Sequence, residues 1–328
     1  MSARPSRQAA PSARVLLPVV LAAIAIATAV GPAAALTTTY PHQSQGNRGT
    51  NVRAIQHLLR HHGDLSVAVD GWFGHPLVVA LTAFQEARGL SPTGATDGPT
   101  WTALRVRVSP GARGQAVLAL QELLNAKRRA GLALNGVYDR ATIAAIRTFQ
   151  RHVGLPVGDT ATPDTWRRLL AHLELPVFGG LLCDYEVGNG AANWGTSAAV
   201  AQIRNAASRV VALGHGRIAI GDIGYEHGGN IPLHQTHEHG MDVDIRPMRR
   251  AEDQCRWGVN WRWSTYDRAA TRDLIRAIRA AAPGHVKLIY FNDPVLVREG
   301  LVTWFEGHDD HLHVRYCEGS HPVRAYDC

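Results

Sequence analysis

Apolar positions recur with a helical period through the first half of the chain. Val52, Ile55, Gln56 and Leu59 share one face at i, i+3, i+4 and i+7. Ala80, Phe84 and Ala87 mark a second helix, and Thr100 stands as a cap for a short third one carrying Trp101 and Leu104. Asp70-Gly71 signals a turn between the first two, and Gly89 sits where a helix-ending glycine is expected. The same pattern returns 65 residues later without a gap. Gly49 meets Gly114, Gln56 meets Gln121, Leu59 meets Leu124, Gly71 meets Gly136, and Phe73 meets Tyr138. Phe84-Gln85 then meets Phe149-Gln150, Gly89-Leu90 meets Gly154-Leu155, and Thr100-Trp101 meets Thr165-Trp166. A fixed offset held over so many positions is an internal repeat. It predicts two three-helix units, over 44–106 and 109–172.

The pattern then changes. Residues 173–182, with Pro176 and Gly179-Gly180, read as a linker. Beyond it, 183–328 mixes strand-like runs at Arg217–Ile220, Met241–Ile245, Val286–Phe291 and Leu312–Tyr316 with helical stretches at Ser197–Leu213 and Tyr266–Ala282. The expected fold is multidomain: two three-helix domains followed by an α+β domain with a mainly antiparallel sheet.

The first 35 residues have the layout of a secretion signal. Arg4, Arg7 and Arg14 precede an apolar run from Val15 to about Val30, and Ala33-Ala34-Ala35 offers a small-residue cleavage site. The alternative is a retained anchor, since the run approaches spanning length. Pro18 and the Ala-rich composition favour cleavage. Elsewhere no segment is apolar enough to span, so no stable membrane insertion is expected after cleavage. The whole chain carries 34 Lys+Arg against 27 Asp+Glu, and losing three Arg with the signal leaves 31 minus 27, or +4. So mild an excess suits an anionic polymer and gives no sign of a nucleic-acid partner. Cys183, Cys255, Cys317 and Cys328 all lie in the second half, and export permits disulfides in any of three pairings. No C-x-x-C spacing exists for a thiolate metal site.

Histidine changes the picture most. Ten of the 17 His follow residue 200, concentrated in His234–Asp244 and His308–His313. Both segments adjoin strand-like runs. Alternation along a strand puts Asp242 and Asp244 on one face, and His311 and His313 on one face. Two such strands side by side could gather imidazoles and a carboxylate around one metal. Zinc suits such donors and keeps an open position for catalysis.

The repeats resemble the peptidoglycan-binding three-helix domain of wall hydrolases, through Asp70-Gly71-Trp72-Phe73-Gly74, Phe84-Gln85 with Gly89-Leu90, and Thr100-Trp101 with Leu104. The second repeat departs at Asn135 and Asp139. Further on, His237–Asp244 spells H-x-x-G-x-D-x-D and His308–His313 spells H-x-x-H-x-H. This is similar to the lysostaphin, D-Ala-D-Ala peptidase and Sonic hedgehog metallopeptidase group. Within it, His234, Asp242-Val243-Asp244 and Gly228-Gly229 resemble penicillin-insensitive murein endopeptidase. No H-E-x-x-H helix motif is present.

By motif position the resemblance implies that His237, Asp244 and His313 bind one Zn2+. It makes His311 a general base or oxyanion stabiliser and His308 an auxiliary active-site residue. His234 matches a histidine near the metal, where a second ion could sit. The acidic residues considered for that ion are Asp267 and Asp273, and one ion is expected. Asp242 would orient a ligand histidine, while His239 is a spacer position and Glu238 and Glu306 read as structural. The implied activity is hydrolysis of peptidoglycan stem peptides, with a D-alanyl–diaminopimelyl cross-link as the expected substrate. The expected location is outside the cytoplasm, secreted, periplasmic or wall-associated. The alternatives are a D-Ala-D-Ala carboxypeptidase, an L-alanyl–D-glutamate peptidase, and a non-catalytic wall-binding protein.

Overall fold

A computed structural model describes residues 39–186, 190–232, 234 and 236–328. The expected signal, 1–35, lies outside the described residues. The first repeat contains α1 (Thr50–His61), α2 (His75–Ala87) and α3 (Gly98–Leu104). The second contains α4 (Gln115–Arg128), α5 (Arg140–His152) and α6 (Pro163–Ala171).

Two buried glutamines per repeat hold these units in shape. Gln56 donates to Asp70 and to the Trp72 carbonyl while accepting from the Gly71 amide at 2.9 Å. Gln121 does the same around Gly136, accepting from its amide at 3.0 Å. Each thereby satisfies a turn whose glycine adopts φ +72° or +65°, a conformation costly for other residues. Gln85 and Gln150 brace the second turn alike, accepting from Gly94 and Gly158. Asn135 replaces Asp70 without loss, since its Oδ1 accepts from the Val137 amide and Gln121. Asp139 caps α5 through the Thr142 amide. The departures of the second repeat are therefore structurally absorbed.

Two local expectations need correction. Thr100 is not a cap: Asp97 caps α3, and Thr100 supplies the amide it accepts from, at 2.7 Å. In the second repeat Thr162 caps α6 in the same way, through Thr165. The buried face of α2 is Leu77, Leu81 and Gln85, one step around the helix from Ala80, Phe84 and Ala87. Leucines bury more apolar surface than alanines, and the helix rotates to suit them.

α1 is buried on more than its Val52–Ile55–Leu59 stripe. Ala54 and Leu58 are buried too, because α4 packs along that side with Ala119, Leu120 and Leu123. One apolar core runs through both repeats. A buried carboxylate crosses the same contact: Glu122 accepts two hydrogen bonds from Arg53, at 2.6 and 2.8 Å.

The remaining chain forms β1 (Leu182–Asp184), α7 (Ser197–Ala212), β2 (Ile218–Ile220), β3 (Asp242–Ile245), α8 (Arg268–Ala281), β4 (Val286–Tyr290), α9 (Pro294–Arg298) and β5 (Leu312–Tyr316). The five strands make one sheet in the order β1-β2-β3-β5-β4, with β1 parallel to β2 and the other pairs antiparallel. β1 begins inside the stretch expected to be a linker; its three residues are too short for a period-two signal. Val243, Ile245, Leu312 and Val314 join α7 and α8 in the core, through Ile203, Val210, Leu274 and Ile278. Strand alternation then sends Asp242, Asp244, His313 and Arg315 to the opposite side of the sheet.

The four cysteines pair as Cys183–Cys255 and Cys317–Cys328. The first ties β1 to the segment after β3. The second closes the C-terminal tail that carries Tyr326. Among the described residues no helix is long and apolar enough to cross a membrane.

Both repeats rest on the sheet domain. The Asn51 amide donates to Ser197 Oγ at 3.0 Å, Arg48 donates to the Ala281 carbonyl, and the Lys127 ammonium, fully buried, pairs with Glu174 at 3.3 Å. Gly49, at φ +115°, leaves no room for a Cβ, which would stand 2.4 Å from the Ser197 carbonyl.

Candidate metal and catalytic site

The site is built on the central antiparallel pair of the sheet. Register places Asp244 directly opposite His313 and Asp242 opposite Arg315, a spacing at which cross-strand side chains touch. Asp244 Oδ1 lies 3.0 Å from His313 Nδ1, and its Oδ2 lies 3.3 Å from His237 Nε2. His237, Asp244 and His313 thus converge on one carboxylate, and all three are buried. The His237 and His313 rings sit 4.9 Å apart, edge to face.

His237 presents a donor atom in the form a divalent ion requires. His237 Nδ1 faces the Ile223 carbonyl at 3.3 Å, the hydrogen bond of an N–H donor. Its Nε2 is buried with no hydrogen-bond partner. That leaves a lone pair aimed at the space beside Asp244. His313 points Nδ1 at Asp244 and holds Nε2 against Asp242 at 2.9 Å. A ligand histidine whose second nitrogen is held by a carboxylate is the usual second-shell arrangement of zinc sites. Burial alone would lower the His313 pKa; the hydrogen bonds to Asp242 and Asp244 outweigh it and raise it to about 9. A divalent ion between Nδ1 and Asp244 would replace the proton that these carboxylates attract.

Asp242 braces two of these three residues at once. Oδ1 accepts from His313 and from Arg315 Nε at 2.7 Å. Oδ2 accepts from the His237 backbone amide at 3.1 Å and from the Tyr326 hydroxyl at 2.6 Å. Burial opposes its ionisation, but this ring of donors keeps its pKa well below the carboxylate range. The His237 tether matters because that residue has φ +75°, a region that non-glycine residues enter at a cost.

His234, His237 and Asp244 each bring a ligand atom within 4.8 Å of the others. His234 Nε2 also lies 3.3 Å from Asp222 Oδ2. Burial, then the neighbouring Glu186 charge, pushes the Asp222 carboxyl up to about 7. Asp222 was not singled out from sequence, although it lies two residues beyond β2, at a strand end facing the histidines. Asp267 and Asp273 are elsewhere: Asp267 caps α8, and Asp273 pairs with His215 at 3.1 Å.

At the mouth, His311 Nδ1 is 2.9 Å from Asp310. Burial would lower the His311 pKa, but Asp310 and Asp244 together raise it. The His308 ring lies 4.8 Å from that of His311 and 5.7 Å from that of His313. Burial and the His311 charge lower its pKa. Tyr290 stacks on Phe305 at 4.7 Å and reaches His308, making an aromatic rim on which Trp304 is exposed. His239 packs against His321 and Tyr326, and exposed Glu238 lies 4.0 Å from His239.

Residues 188–281 match the penicillin-insensitive murein endopeptidase family. That match lies within the C-terminal domain. Residues 48–104 and 113–169 each match the peptidoglycan binding domain. No curated protein matches the chain. The murein endopeptidase match spans His234, His237, Asp242 and Asp244 and ends before the His308–His313 segment, which sheet register brings to the same place.

Proposed function

We propose that this protein is an exported zinc-dependent peptidoglycan endopeptidase that cleaves D-alanyl–diaminopimelyl cross-links. The observation that carries the reading is the buried, unpartnered Nε2 of His237 beside an Asp244 whose other oxygen meets His313 Nδ1. A wall-adhesion protein has no need of that constellation.

His237, Asp244 and His313 would hold the ion. When bound, zinc would supply Lewis-acid polarisation of the scissile carbonyl and acidify a water toward neutral pH. Asp242 fixes the orientation of His313 and anchors the backbone of His237. His311, held by Asp310, would carry a proton or donate to the developing oxyanion. His308 flanks it on the aromatic side. The peptidoglycan-binding repeats keep the domain on its polymer and raise the local concentration of stems. Disulfides and a wall substrate fit action outside the cytoplasm.

The test uses the purified chain. Chelation should abolish release of muropeptide monomers from cross-linked dimers, and one equivalent of zinc should restore it. Mass spectrometry of the products identifies the bond. Loss of a terminal D-alanine would assign a carboxypeptidase, and cleavage after L-alanine an L-alanyl–D-glutamate peptidase. Full activity in chelator would refute the zinc mechanism.

A further inference from the structure

A second group of histidines lies where the second repeat meets the peptidase domain. His152 is the last residue of α5, and His172 directly follows α6. Glu226 and His227 come from the loop after β2, which continues to His234 and His237. The three rings sit 5.1, 5.6 and 6.0 Å apart, and their ligand nitrogens lie within 4.8 Å of one another. Imidazoles sharing one tetrahedral zinc ion have centroids roughly 5 Å apart, given Zn–N near 2 Å.

The tautomer of His172 gives an independent sign. Its Nδ1 lies 2.6 Å from the Leu173 carbonyl, so that nitrogen carries the proton. Its Nε2 is therefore a bare lone pair, buried and without a hydrogen-bond partner. Glu226 Oε1 completes the group, 2.9 Å from His152 Nε2 and 3.5 Å from His172 Nε2. Arg128 binds the same oxygen and would remain as its second-shell partner.

We propose that His152, His172, His227 and Glu226 form a second divalent-metal site that clamps the second repeat to the loop bearing the active-site histidines. Three nitrogen donors select zinc or a similar transition ion over calcium or magnesium, which demand oxygen. The site shares no residue with the catalytic group. Its consequence is mechanical: an ion held at His227 fixes one end of the segment that ends at His237.

Zinc content of the full chain after dialysis tests the assignment. The double variant His152→Ala/His227→Ala should carry about one equivalent less than wild type. Its cobalt form should lack the tetrahedral d–d absorption of that site. His237→Ala reports the catalytic ion separately, so either site can fail without the other. Melting in chelator checks the fold of the double variant. Should it be unfolded, His227→Ala alone, altering an exposed side chain, should weaken one zinc equivalent at least about tenfold. Unchanged zinc content and affinity in the folded variant would overturn the proposal and leave an ordinary histidine–glutamate contact.

Discussion

Replacing Asp242 with Asn removes one charge and changes little in volume, so its effect isolates what the carboxylate does. Asp242 accepts four hydrogen bonds, two on each oxygen. An amide offers one acceptor atom, so one pair of donors must be abandoned. The Arg315 ion pair loses its anion in either orientation, which for a nearly buried pair costs about 3–5 kcal/mol, and turning the amide nitrogen toward Arg315 would in addition set donor against donor. Turning it toward Oδ2's partners orphans the His237 amide, for about 1–3 kcal/mol, while Tyr326 can reverse and accept. The second orientation costs less. The damage then falls on His237, which loses the hydrogen bond that holds it at φ +75°. Stability should drop by about 3–5 kcal/mol or more and zinc affinity by about 10–100-fold, the usual range for a carboxylate that orients metal ligands. Chelator competition measures the affinity, and assay under saturating zinc should recover most of the rate. Tyr326→Phe removes one of the four bonds and leaves the His237 tether, so its affinity loss should stay below about tenfold. If Asp242→Asn binds zinc as tightly as wild type, the ligands are positioned by something other than this carboxylate.

His311→Ala should reduce muropeptide hydrolysis by about 100-fold or more while zinc stays bound; a variant with full turnover would remove His311 from the reaction. Burial would raise the Glu122 pKa, but His57 and Arg53 outweigh it and hold it at about 2 against an ordinary 4.5. A carboxylate depressed on folding stabilises above its unfolded pKa and loses that contribution as pH falls through the folded one. Glu122→Gln should therefore be about 1–3 kcal/mol less stable than wild type at pH 7, with Arg53 partly exposed. The difference should narrow between about pH 4.5 and pH 2 in urea unfolding; an equal gap at both ends would refute the assignment. Trp72, under the Arg48 guanidinium at 3.9 Å, lines a cavity of about 180 Å³ on the first repeat. Trp72→Ala should lower retention on intact sacculi and leave soluble muropeptide cleavage unchanged, which pull-down and product assays separate. Equal losses in both would assign Trp72 a folding role.

Local rules account for what could be read directly from the chain. A 65-residue offset, turn glycines and apolar spacing at i, i+3, i+4 and i+7 specify the repeats, since each depends on neighbours within one or two turns. Alternation in Asp242–Asp244 and His311–His313 places the acidic and imidazole side chains on common faces for the same reason. Contacts between distant segments leave no such periodic mark. Pairing of β3 with β5 decides that Asp244 meets His313, and the end of β2 brings in Asp222. The face that α2 buries, the Arg53–Glu122 contact between repeats and the disulfide pairing were likewise settled by packing. So was the meeting of His152, His172 and His227, which lie far apart in sequence and adjacent in space. Sequence determined which groups could act on each element; the fold chose their partners, because register and packing are properties of the whole chain.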